Sequence, residues 1–139
     1  VNGDRVALDT SIAIDVLAND ADGLLSADIT EHLLPAPVVG ELRYGALNSQ
    51  KVTENLAKVE GLVARCRVLN ITATTADVYA RLRLGLKKKG KPIPENDLWI
   101  AALCVEHDVS LADSDGHFDV VDGLKRWRSQ RESSKPDVP

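Results

Sequence analysis

The sequence predicts an α/β domain built on a mainly parallel sheet. Three observations carry that expectation. Short segments rich in apolar and β-branched residues alternate with helical patterns along most of the chain. One helical pattern is long and strict, with Val52, Leu56, Val59, Leu62, Val63 and Cys66 at i, i+4, i+7, i+10, i+11 and i+14. Acidic residues recur at the ends of strand-like segments and at the starts of helices, and open parallel sheets bind ligands at the carboxyl ends of their strands.

The elements follow in order. Residues 5–9 (Arg5-Val-Ala-Leu-Asp9) read as a short strand ending in an acid. Thr10 and Ser11 supply N-cap chemistry for a helix carrying Ile12, Val16 and Leu17 on one face. Asn19 to Gly23 is a turn, Leu24 to Thr30 is expected as a second short helix, and His32 to Pro35 as a strand. Pro37 suits the first turn of a helix running to Ala46, which Asn48-Ser49 breaks. The strict pattern then gives a helix over 52–66, and Val68 to Ile71 a strand. A helix starts near Thr74 or Thr75, carries Val78, Leu82 and Leu86, and ends in the lysines before Gly90. Pro92-Ile-Pro94 is extended, because a proline disfavours helix at the residue before it. Asn96 is expected to cap a helix from Asp97 to His107. Strands are expected at Val109–Ala112, Phe118–Val121 and Gly123–Trp127. This gives one domain over 1–127 and a polar C-terminal tail over 128–139.

Composition narrows the class. At 139 residues, 44% hydrophobic and 27% charged, the chain has the length and apolar content of one globular domain. Its longest apolar run, Leu98 to Val105, is eight residues, against the roughly 20 a membrane helix needs. No secretory signal is seen, and Val1 reads as a GTG start written literally or as a trimmed boundary. Cys66 and Cys104 read as reduced thiols, which with the missing signal gives a cytoplasmic expectation. His32 and His107 show no zinc-ligand spacing with either cysteine.

The net charge is −4, from 17 Lys+Arg and 21 Asp+Glu, and it is unevenly spread. Residues 78–94 hold six bases (Arg81, Arg83, Lys87, Lys88, Lys89, Lys91) and no acid, whereas 106–122 hold six acids. Asp9, Glu41, Asp97 and the pair Asp113 and Asp115 stand at element starts or strand ends. Each has an ordinary role: helix capping for Asp9, a solvent-facing turn for Glu41, the helix N-terminus for Asp97, Asx turns for the pair. Together they imply more. Clustered carboxylates raise one another's pKa unless a cation neutralises them. Mg²⁺ and Mn²⁺ take oxygen ligands, and such ions assist phosphodiester hydrolysis.

Four motifs make this specific: Leu8-Asp-Thr-Ser-Ile12, Pro37-Val-Val-Gly-Glu-Leu-Arg-Tyr-Gly45, Ile93-Pro-Glu-Asn-Asp-Leu-Trp-Ile-Ala-Ala102 and Leu111-Ala-Asp-Ser-Asp-Gly-His-Phe118. In this order they resemble the PIN-domain ribonucleases, in particular the VapC-type toxins of toxin–antitoxin pairs, from about Arg5 to Trp127. The resemblance implies a three-layer α/β/α sandwich with a short, mainly parallel central sheet. It further implies Mg²⁺- or Mn²⁺-dependent endoribonuclease activity, an RNA substrate, a homodimer and a small cognate antitoxin. Carried over by position, Asp9, Glu41, Asp97 and Asp115 match the family's acidic set. Asp9, Asp97 and Asp115 are then expected on the metal, and Glu41 on the attacking water. Asp113 stands where the family often has Thr or Ser, so it is expected as a further ligand or as a neighbour of one. Ser11 and Asn96 match polar positions that support the first and third acids. His117 falls outside this set, and Lys87-Lys-Lys89 reads equally as a solvated helix end or as a phosphate contact.

Two other classes compete. A non-catalytic module of the same fold would bind RNA or an antitoxin without cutting, and metal-dependent cleavage separates it from the enzyme. A phosphoryl-transfer receiver or phosphatase needs a neighbouring Asp or a later catalytic Lys, which Leu8-Asp-Thr-Ser does not match.

Overall fold

The computed structural model describes residues 4–19, 29–114 and 116–127, with Asp4 described by its backbone alone. The elements in order are β1 (Asp4–Leu8), α1 (Thr10–Asn19), β2 (Ile29–Pro35), α2 (Ala36–Leu47), α3 (Val52–Arg65) and β3 (Arg67–Leu69). They continue with α4 (Ala73–Lys89), α5 (Glu95–His107), β4 (Ser110–Ala112) and a 3₁₀ helix, Gly116–Val120.

The four strands form one sheet in the order β3-β2-β1-β4, and every pairing is parallel. Val6, Ala7, Leu8, Leu33, Leu34, Leu111 and Ala112 are all buried, although successive strand residues face opposite sides of a sheet. Both faces are therefore covered, which is what helical crossovers between parallel strands produce. The sheet flanked by helices is the expected three-layer α/β arrangement. The chain grows outward from β1 through β2 to β3, then returns through α4 and α5 to place β4 on the other side of β1. The strand order thus reverses at β1, and the β1–β4 edge opens the crevice where such sheets hold ligands.

Local chemistry explains the boundaries. Asp9, not Thr10 or Ser11, caps α1: the Ile12 N–H donates to Asp9 Oδ1 at 2.9 Å. α4 begins on a reciprocal cap in which Thr72 and Thr75 each accept the other's backbone N–H, and it ends at Gly90 in the left-handed region, φ 69°. α5 starts two residues earlier than Asn96 would cap it, because Pro94 occupies the N-cap position; Asn96 lies within the first turn. Leu98, Ile100, Ala101, Ala102, Leu103 and Cys104 are all buried, so α5 is packed nearly all round and forms the middle of the core.

Several expected elements differ. The strand expected over 32–35 begins at Ile29, so Ile29 and Thr30 are extended rather than helical; residues 24–28 lie outside the described residues. β3 sits one or two residues earlier than 68–71, since Ile71 is exposed and the cap at Thr72 claims the chain. Phe118–Val121 is not a strand. Its residues lie mostly in the 3₁₀ helix, where Phe118 turns inward alone. Of 123–127 only a single bridge survives, Leu111 to Arg126, with the Trp127 N–H donating to the Leu111 carbonyl at 2.9 Å. The tail from Arg128 lies outside the described residues.

Candidate active site

Asp9 follows β1 directly and is 4% exposed. Its backbone N–H donates to the Ala112 carbonyl at 3.0 Å, so the last residues of β1 and β4 are locked side by side and Asp113 follows immediately on the neighbouring strand. The Asp113 carboxylate is fully buried and meets Arg126, whose Nε donates to Oδ1 at 2.6 Å and whose Nη2 donates to Oδ2. Asp97 sits in the first turn of α5, where the helix dipole favours a negative charge, with its side chain 24% exposed.

Glu41 lies on α2. Burial raises its carboxyl above the ordinary glutamate range and the charge of Asp97 pushes the same way, while the Thr10 hydroxyl pulls against both. These influences bring Glu41, Asp97 and Thr10 into one locality beside Asp9. Thr10 Oγ1 is itself buried, and it reaches no partner at full hydrogen-bond geometry even though it lies near enough to act on Glu41.

His117, on the 3₁₀ helix, places Nδ1 3.1 Å from Asp97 Oδ2. Sequence reasoning left it out because a histidine in a polar loop after a strand has no ligand spacing of its own. Arg126 carries no such signal in the sequence either, because the carboxylate it pairs with, Asp113, is buried only in the folded chain. Asp115 lies outside the described residues. Ser11 is exposed on α1 and Asn96 half-buried on α5, and neither side chain hydrogen-bonds a carboxylate among the described residues. Arg43 does not turn into the site: it forms a two-point pair with Glu60 on α3, at 2.8 and 3.0 Å. Trp99 stacks on Tyr79 of α4 with ring centroids 3.9 Å apart.

The donor set suits a hard divalent cation. It is all oxygen, two of its carboxylates already repel each other, and the buried Thr10 hydroxyl near Glu41 lacks a full hydrogen bond. Among the described residues no three acidic, histidine or cysteine side chains close into a cage.

Comparison with known proteins places this geometry. Residues 6–124 match the PIN domain family. The chain is 33% identical over 101 residues to the Ribonuclease VapC2 of Haemophilus influenzae, covering 70% of this chain and 76% of that protein. It is 29% identical over 125 residues to the tRNA(fMet)-specific endonuclease VapC of Shigella flexneri, covering 87% and 95%. In the crystal structure of VapBC2 from Rickettsia felis bound to a DNA fragment from their promoter, one chain superposes with a TM-score of 0.80 at 25% identity, covering 88% of this chain and 97% of that one. The chain belongs to the PIN-domain family, in its VapC ribonuclease branch. It is accordingly a phosphodiester hydrolase acting as a nuclease.

Proposed function

We infer that the protein is the endoribonuclease toxin of a toxin–antitoxin pair and that it cuts RNA with Mg²⁺ or Mn²⁺. The observation that carries the chemistry is the meeting of Glu41 and Asp97 beside the Asp9–Thr10 step at the carboxyl end of β1. Asp9 and Asp97 are the residues to hold the ion, with Asp115 completing the set as the family resemblance implies. Asp113, its two oxygens engaged by Arg126, acts behind the ligands. When bound, the ion offsets charge on the phosphate oxygens and lowers the pKa of a coordinated water. Glu41, whose carboxyl burial holds above the ordinary glutamate range, is suited to accept the proton of the attacking water. His117 holds the Asp97 carboxylate in place, and the Thr10 hydroxyl lies near enough to Glu41 to act on its charge.

Partners follow from the surface. Lys87, Lys88 and Lys91 have no ion-pair partner among the described residues, whereas Lys89 is tied to Asp122 at 2.7 Å. The unpaired lysines supply phosphate contacts for RNA. A groove of about 350 Å³ runs between α1, α2 and α3, lined by Ile14, Leu17, Leu42, Ala46 and Val59 with Glu41 at its rim. Ile14 is 52% exposed there, and an apolar antitoxin segment carrying a basic residue fits such a groove beside an acidic crevice. A homodimer, a cytoplasmic location and a single nuclease domain over 1–127 complete the proposal. Among the described residues no helix is long and apolar enough to cross a membrane.

The test is cleavage of transfer RNA and of unstructured RNA with and without Mg²⁺. Asp9→Asn and Asp97→Asn are expected to abolish metal-dependent cutting while the far-UV spectrum stays native. Undiminished cutting by both would remove the assignment and leave the non-catalytic binding module standing.

A further inference from the structure

We propose that Arg126 is a positioning residue of the metal site, acting through the 3₁₀ helix and His117 on Asp97. The proposal rests on the metal-dependent nuclease assignment above. Arg126 is only 15% exposed, and its backbone is fixed to the sheet on both sides: the Leu111 N–H donates to the Lys125 carbonyl at 2.9 Å and the Trp127 N–H to the Leu111 carbonyl at 2.9 Å. From that anchored position the guanidinium grips the segment after β4 at three points. Nε and Nη2 take the two oxygens of the fully buried Asp113. Nη1 donates to Asp119 Oδ1 at 2.6 Å. The guanidinium carbon lies 5.8 Å from the centre of the buried Phe118 ring.

These contacts are unequal. The Asp119 pair is two-thirds exposed on the carboxylate side and contributes little energy, but it fixes direction. The Asp113 pair is buried and two-pronged, the geometry for which a planar guanidinium is suited and an ammonium is not. His117 lies between the gripped residues, on the same 3₁₀ helix as Phe118 and Asp119. Holding that short helix against β4 sets where its imidazole lies, and Nδ1 meets Asp97 Oδ2 at 3.1 Å. The metal-holding carboxylate of α5 is thereby oriented from the opposite side of the crevice. An Asp at 113, where the resembling family often carries Thr or Ser, is the partner that lets an arginine do this.

The experiment uses the full chain, stripped of metal. Arg126→Lys keeps the charge and loses the fork. The double variant Asp113→Thr with Arg126→Gln removes the buried pair together, which avoids leaving a lone buried charge. Mn²⁺ affinity is measured by calorimetry, the His117 imidazole signals by nitrogen-15 NMR without metal, and RNA cleavage as kcat and KM separately. Both variants are expected to bind Mn²⁺ about tenfold or more weakly, as losses behind a metal ligand commonly do. The His117 signals shift, and kcat falls while KM holds. Folded variants with Mn²⁺ affinity within about twofold of the parent and an unmoved His117 signal would show Arg126 to be a fold staple only. If the parent chain itself neither binds Mn²⁺ nor cuts RNA, the nuclease assignment at this site falls first and takes this proposal with it.

Discussion

At the scale of single residues, the ordinary role of Asp9 leaves room for the proposed one. Asp9 caps α1 through Oδ1, the bland role its position suggests, and a carboxylate has about four acceptor sites on two oxygens. Capping therefore orients the side chain that ligation requires. Glu41 shows the cost of such a site. Its carboxyl is raised by burial and by Asp97, so the ionised form is disfavoured in the folded state. The unfolded chain then loses its proton first as pH rises, and the folded state loses stability from about pH 4.5, the ordinary glutamate value, up to the raised one. Glu41→Gln is expected to abolish cutting and, in metal-free protein at neutral pH, to melt no lower than the parent. Any gain in melting temperature should vanish below pH 4, where both forms are uncharged, and a variant that melts lower at pH 7 would contradict this.

Elements were legible where local chemistry decides them. The strict apolar period over 52–66 is α3, with Val59 and Leu62 buried and Leu56, Val63 and Cys66 packed beside them. The helix expected to run out in the lysine stretch ends at Gly90 in the left-handed region, a conformation glycine adopts without steric cost. The misplacements are of ends. Asp9 takes the cap expected of Thr10 because its side chain reaches back to Ile12, and Pro94 displaces Asn96 because α5 starts as soon as the prolines finish. The start of α4 gives a direct check. Thr72→Ala removes the acceptor of the Thr75 N–H, and thermal or urea unfolding should show a loss of about 1 kcal/mol. Thr75 Oγ1, buried, also donates to Glu106 at 2.5 Å, joining the start of α4 to the last turn of α5.

At the scale of the molecule the sheet order carries the function. β2 lies between β1 and β3, and Leu33 pairs with Ala7 on one side and Arg67 on the other, fully buried. Leu33→Ala should cost about 2–5 kcal/mol, seen as a lower urea midpoint with unchanged slope. The net charge also changes meaning at this scale. Setting aside Asp9, Glu41, Asp97, Asp113 and Asp115 leaves 16 acids (21 − 5) against 17 bases, so outside these five candidates the charge is nearly balanced.

By itself the sequence determined the class of fold and the family, and it singled out the acids as candidates, because alternating periods and four ordered motifs are local patterns in one chain. The tertiary structure alone decided how those acids are held. The parallel order β3-β2-β1-β4 sets Asp9 beside Asp113, and α5 delivers Asp97 towards Glu41. Arg126 arrives from the far end of the described chain to hold the 3₁₀ helix whose His117 meets Asp97. Such contacts join residues 13 to 56 positions apart, and no period or cap in the sequence encodes them, since they exist only once the sheet has brought its strand ends together.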